Sequence, residues 1–292
     1  IAVGKDNIVR TATVDEVLRP HQRFQPTGIK LSCGGILIGG NIGRQNFDAS
    51  RAARQIPVLS CSDMVDENDK KVFEMFSKGY TEGVFQFESQ GMKNVLTQLK
   101  PERIEDLIAV TALYRPGPMD SIPVYIDCRH NPSHIRYKHP LLKEILGVTS
   151  GCIIYQEQVM QIFRTLAGYS LGRADIVRRA MSKKKLDVME SEREIFIHGL
   201  TDDDGNIIVE GCIRRGVDEK TAISVYDEME SFAHYAFNKS HAAAYAYVTY
   251  QTAFLKYYYP VEFMAALMTS VIENPSKVAE YIYTCRQMDI RI

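Results

Sequence analysis

The sequence predicts a mainly α-helical fold with a small mixed α/β segment at its start. Three observations predict it. From Ser62 to near the end of the chain, apolar residues recur at helical spacing. Residues 1–62 instead alternate short apolar stretches with Gly, Pro and Asn. No period of 20–50 residues repeats, which argues against a solenoid. The chain therefore divides into a small mixed segment over 1–62 and a helical domain over 63–292.

In the first segment, Gly34-Gly35-Ile36-Leu37-Ile38-Gly39-Gly40 reads as one short strand between turns. Asp63 or Asp66 is placed to cap a helix through Val72, Phe73 and Phe76 that stops at Gly79. A brief alternating stretch, Val84-Phe85-Gln86-Phe87, follows. The next helix puts Met92, Val95, Leu96 and Leu99 on one face and ends before Pro101, and another covers about 103–114. Five prolines over residues 115–140 (Pro116, Pro118, Pro123, Pro132 and Pro140) predict a loop crossing with little regular structure. Helices resume at 141–146, 155–167, 172–181 and 185–199, and Asp202 to Gly205 reads as an acidic turn. The remaining helices are expected at 218–231, 240–257, 260–272 and 275–287.

Of the 292 residues, 45% are apolar and 24% charged, the profile of a globular chain rather than a disordered one. Apolar runs fall far short of the ~20 residues a membrane span requires, so no membrane partner is expected. No basic-then-apolar leader opens the sequence. The six cysteines lie far apart with no CxxC pair, which argues against a zinc ribbon or a disulfide framework and for reduced thiols in the cytoplasm.

The net charge of −1 gives the whole molecule no attraction for nucleic acid, so any anion binding must be local. Local clusters exist. Between Arg164 and Lys185 stand seven basic residues, including Arg178, Arg179, Lys183, Lys184 and Lys185, against one acid, Asp175. An arginine fork suits bidentate contact with phosphate, and lysine adds a mobile point charge. A second segment, Ala112-Leu113-Tyr114-Arg115-Pro116-Gly117-Pro118, presents Arg115 from a stiff turn after a helix. A third, Phe237-Asn238-Lys239-Ser240-His241, precedes an alanine run. Asn238 or Ser240 would cap that helix and leave N–H groups free at an end that attracts anions, beside Lys239, Ser240 and His241. The plain alternative for each is a solvated helix face or a surface loop.

The known nucleotide loops are missing: there is no GxxxxGK[ST], and no GxGxxG between a strand and a helix. HExxH and GxSxG are absent too, and no carboxylate cluster stands out as a two-metal centre.

Seven segments now acquire a common meaning. GVFQFES (83–89), ALYRPGPM (112–119), YQEQVM (155–160), LAGYSLGRAD (166–175), RRAMSKKK (178–185), FNKSHAAAYA (237–246) and YYPVEFMAAL (258–267) occur in this order. Together they resemble the fingers region of the bacterial C-family replicative DNA polymerases, over about residues 70–292. The resemblance implies a polymerase fingers fold and a share in DNA-templated phosphodiester synthesis. It implies two Mg²⁺ ions held by palm aspartates, and as partners primer–template DNA, deoxynucleoside triphosphates and other replisome subunits reached through the full-length protein. It casts Arg115, Arg178, Arg179, Lys183, Lys239, Ser240 and His241 as contacts to the triphosphate, and Tyr155, Gln156 and Tyr245 as lining for base or sugar.

The departures set a limit. The family's Pro-Asp-x-Asp-x-Asp-Phe run is absent, as is its Lys-x-Asp-Phe-Leu-Gly run. Asp48, in Asn46-Phe47-Asp48-Ala49, is the nearest echo of a palm ligand, at a spacing too short for the family. The catalytic aspartates are therefore expected outside this chain, and the chain alone is expected to be inactive. The competing reading is a non-catalytic nucleic-acid-binding or assembly module derived from a polymerase fragment.

Overall fold

A computed structural model describes residues 2–3, 9–10, 65–183, 186–233 and 235–292. Within the expected mixed segment it describes one antiparallel pair, β1 (Ala2–Val3) and β2 (Val9–Arg10), with Ala2 opposite Arg10. The strand expected over 34–40, Asp48 and the boundary at 62/63 lie outside the described residues, as do Lys184 and Lys185. The rest is mainly helical, as the periodicity requires, and falls into two compact units: Ile1–Arg103 with Tyr247–Ile292, and Ile104–Ala246.

Helices α1 (Lys70–Ser77) and α2 (Gln90–Leu99) belong to the first unit. The second unit holds α3 (Ile104–Leu113), α4 (Ile122–His130), α5 (Leu142–Leu146), α6 (Gln156–Ala167), α7 (Leu171–Ser182), α8 (Leu186–His198) and α9 (Glu219–Ala233). Helix α10 (Lys239–Tyr258) begins in the second unit and ends in the first, which α11 (Pro260–Ser270) and α12 (Pro275–Gln287) complete.

In the first unit the cap of α1 is Asp69, whose carboxylate accepts from the Lys71 N–H at 2.8 Å. That corrects the expected cap: Asp66 serves the preceding turn by accepting from the Asn68 N–H. The stretch 84–87 is a run of turns, not a strand. Gln86 takes a positive φ, and the Thr81 hydroxyl donates to the Phe87 carbonyl at 2.6 Å. Val84 and Phe87 are buried while Gln86 is exposed, a spacing of three that sequence inspection reads as alternation. A buried lysine, Lys256 on α10, donates to the carbonyls of Tyr80 and Glu82 and to the Glu82 carboxylate. Burial lowers the pKa of its ammonium, and Glu82 works against that shift.

The core of the second unit gathers apolar faces from α5 to α9. Leu142, Val159, Phe163, Leu166, Val177, Phe196, Val225 and Met229 are among its buried members. Phe163 is fully buried, with ring centroids of Tyr169, Phe196 and Tyr226 at 5.0, 5.1 and 6.1 Å. Each such burial contributes on the order of 1.5–3 kcal/mol. Between α8 and α9 the acidic turn is realised as a hairpin of β3 (Leu200–Thr201) and β4 (Ile207–Val209), closed by Asp202, which accepts from the Asn206 N–H at 2.7 Å.

Residues 115–140 contradict the expected loop. They contain α4 and two 3₁₀ turns, Pro118–Ser121 and Pro132–His134. The prolines do not prevent this because Pro118, Pro123 and Pro132 all fall in the first or second position of their helical segments, where the missing N–H has no intrahelical acceptor to lose. Helix α4 is anchored by the buried Asp106, which accepts from Arg129 at 2.9 and 3.1 Å and from the Tyr125 hydroxyl at 3.3 Å.

Candidate phosphate-binding site

In the second unit, three basic segments meet around one backbone contact. Tyr155, at the start of α6, forms an isolated parallel bridge with Phe237, just before α10. The Gln156 N–H donates to the Phe237 carbonyl at 2.9 Å, and the Phe237 N–H to the Ile154 carbonyl at 3.2 Å. The start of α6 is held there by a buried residue. The Gln158 carbonyl oxygen accepts from the N–H groups of Ile154 and Tyr155 at 2.8 and 2.9 Å, and its amide donates to the Thr149 hydroxyl and the Ile145 carbonyl. A glutamine three residues into a helix, reaching back to the residue before it, is half of a capping box.

Two side chains tie this start to its neighbours. Gln156 donates to the Ala236 carbonyl at 3.0 Å and accepts from the Arg178 guanidinium at 2.9 Å. Glu157 accepts from the Asn238 side chain at 3.0 Å and from the Lys239 N–H at 3.0 and 3.2 Å.

Three cationic arms converge on this frame. On α7, Arg178 also donates to Asp175 at 2.7 and 3.0 Å, and Arg179 donates to the other Asp175 oxygen at 2.7 Å. Arg178 is largely covered, with 15% of its side chain exposed, whereas Arg179 is 66% exposed. The hydrogen bond from Arg178, reinforced by Arg179, holds the Asp175 carboxyl below the usual carboxylate range. From the turn after α3, Arg115 donates to the Ala112 carbonyl at 2.8 Å and to the Tyr235 carbonyl, and its guanidinium lies 4.3 Å from the centroid of the Phe237 ring. Partial burial lowers its pKa. At the start of α10, Lys239 reaches over the buried Tyr155 ring at 5.5 Å. The exposed His241 ring lies 4.4 Å from that of Tyr245 and 5.4 Å from that of Phe237.

The structure thus links Arg115, Gln156, Arg178, Arg179, Lys239, His241 and Tyr245 through the 235–241 segment, with Ser240 exposed beside them. Lys183 stands apart, exposed at the C-terminal cap of α7. Tyr155 is a buried floor beneath Lys239.

One expectation needs correcting. The free N–H groups expected at the start of α10 are partly taken: Asn238 is the cap and accepts from the His241 N–H at 2.9 Å, and Glu157 takes the Lys239 N–H. Glu157, Gln158 and Phe237 stand inside the quoted motifs, but sequence reasoning gives them no role in the site. The Gln158 capping pattern was legible in Tyr155-Gln156-Glu157-Gln158, but a Glu157 contact 82 positions along the chain was not.

Among the described residues, no group of three or more His, Cys, Asp or Glu side chains could hold a metal ion. No described helix is long and apolar enough to cross a membrane.

Fold and site together define a mainly helical domain that gathers arginine, lysine and histidine at one helix start. Residues 45–204 match the family model of the bacterial DNA polymerase III alpha subunit finger domain, and the chain belongs to that family. It is 46% identical to the DNA polymerase III subunit alpha of Bacillus subtilis over 228 residues, covering 78% of this chain and 19% of that protein. It is likewise 46% identical over 235 residues to the Thermus aquaticus protein of the same name, covering 79% of this chain and 18% of the relative. The Halalkalibacterium halodurans protein is 43% identical over 249 residues, covering 85% of this chain and 20% of the relative. The chain spans about a fifth of the length of these relatives.

Proposed function

We propose that this chain is the nucleotide-engaging fingers segment of a replicative DNA-directed DNA polymerase. Arg115, Arg178, Arg179, Lys239, Ser240 and His241 contact the triphosphate of the incoming deoxynucleotide, and Gln156 and Tyr245 border its sugar or base. The carboxylates that hold Mg²⁺ and activate the primer hydroxyl lie in parts of the polymerase beyond this chain. Primer–template DNA, deoxynucleoside triphosphates and other replisome subunits are the partners this reading entails.

The observation that carries it is the convergence of three basic segments, far apart in sequence, on the Tyr155–Phe237 bridge. Charge held ready in fixed positions is what a transferring phosphoryl group requires, because the donors need no reorganisation as charge develops. Arg178 has two protein partners that fix its plane, and Arg115 has an aromatic face beneath it.

The test is steady-state primer extension by the intact polymerase subunit carrying Arg178→Ala or Lys239→Ala. Each is expected to lower kcat/KM for deoxynucleotide by on the order of 10²-fold, in line with the loss of a charge-stabilising donor. Primer–template affinity should change little. Equal loss of DNA affinity with no effect on nucleotide would favour a nucleic-acid-binding module and overturn the triphosphate assignment.

A further inference from the structure

We propose that Glu157 is a positioning residue for nucleotide binding: its carboxylate acts as an internal anion that fixes where α10 begins. This rests on the reading of Lys239 and His241 as triphosphate contacts. The start of a helix is electropositive and its first N–H groups lack intrahelical acceptors. Here one of those donors, the Lys239 N–H, is filled by both Glu157 oxygens at 3.0 and 3.2 Å, and the Asn238 side chain adds a third contact at 3.0 Å.

The geometry makes the contact more than a cap. Asn238 uses its carbonyl oxygen for the His241 N–H and its amide for Glu157, so one side chain relays the position of the carboxylate to the first turn of α10. Lys239 is gripped by its backbone, which leaves its ammonium over the Tyr155 ring, one residue before Gln156. Gln156 in turn holds Arg178. Two consecutive residues of α6 therefore set the spacing between the α7 arginine and the α10 lysine and histidine. Glu157 reaches α10 from the same helix start that orders Arg178, and no other described acid contacts the Lys239 N–H.

Charge and reach can be separated by substitution. Glu157→Gln keeps the reach and one accepting oxygen but removes the charge. Glu157→Asp keeps the charge and shortens the arm by one methylene, while Glu157→Ala removes both. In the intact polymerase subunit, we expect KM for deoxynucleotide to rise about tenfold in the Ala and Asp variants, the change expected when a charge-assisted hydrogen bond is lost. The Gln variant should rise by a smaller factor, and kcat should fall less than KM rises in all three. Titration with a fluorescent deoxynucleotide should give the same order of affinity.

An unchanged KM in the Ala and Asp variants, or a KM in the Gln variant below that of the parent, would overturn the proposal. The second result would mean that the carboxylate opposes the nucleotide by its charge. Lys239→Ala run beside them separates two failures. If Lys239→Ala raises KM and the Glu157 variants do not, the positioning role alone falls. If neither does, the triphosphate reading falls with it. Should the Ala variant fail to fold, the comparison of Gln with Asp still decides.

Discussion

Asp175 shows how far one carboxylate can organise two cations at the scale of single residues. It gives one oxygen to Arg178 and the other to Arg179, so a single acceptor three and four positions back ties both arginines to the same turn of α7. Because hydrogen bonding to Arg178 depresses the folded-state pKa of Asp175, its contribution to stability is present above the unfolded carboxylate pKa. It is lost as pH falls through the lower, folded value. The parent chain should therefore lose thermal stability faster than Asp175→Asn as pH drops below about 4. Melting temperatures measured from pH 7 to 2.5 check this. Parallel curves for the two proteins would mean that the arginines are held by Gln156 and solvent instead. The amphipathic helix placing Asp175, Arg178 and Arg179 was legible in the sequence. The division of the carboxylate between them was not, because residues three and four apart compete for one partner and only coordinates decide the sharing.

At the scale of elements, the turn after α3 is the clearest case of sequence chemistry reaching the site. Gly117 has φ of +103°, and a Cβ there would stand 2.2 Å from carbons of the Tyr235 ring. The same Tyr235 offers its carbonyl to Arg115. Gly117→Ala must then strain the backbone, at a cost on the order of 1–3 kcal/mol, and also push Tyr235 and with it the acceptor of Arg115. The expected outcome is a melting temperature lower by several degrees together with a raised KM for nucleotide in the intact polymerase subunit. Gly172→Ala is the matched control, since no atom lies within 4 Å of its Cβ position in α7, and it should be neutral or slightly stabilising. A Gly117→Ala variant that melts lower with unchanged KM would separate the turn from the site. The glycine between two prolines announced a stiff turn, and helix α3 before it was legible from periodicity. Helix α4 was not, because proline frequency conceals proline position: Pro123 at the second residue of a helix is permissive, and only the three-dimensional start of the helix shows that it sits there.

The scale of the whole molecule concerns independence. Residues 104–246 are continuous in sequence, whereas the other unit is assembled from residues on both sides of them. Every member of the core formed by α5 to α9 lies between Leu142 and Met229, so cutting at the unit boundaries removes none of it. The ties that build the candidate site also fall inside: Arg115 to Tyr235, Gln156 to Arg178 and Ala236, Glu157 to Asn238 and Lys239. What the cut removes is the second half of α10, and a helix of about two turns, 239–246, is too short to persist on propensity alone. Its tethers to Glu157 and Asn238 are what would keep it. A 104–246 fragment is therefore expected to unfold cooperatively by circular dichroism, with the amides of α6 to α9 exchanging together. The discriminating measurement is exchange at 239–246. Protection there that disappears on Glu157→Ala, with α6 to α9 unchanged, would show that the carboxylate and not helix length holds the site's third arm. Exchange at the rate of an open chain in the parent fragment would mean that α10 needs its full length, and that the basic cluster forms only when both ends of that helix are present.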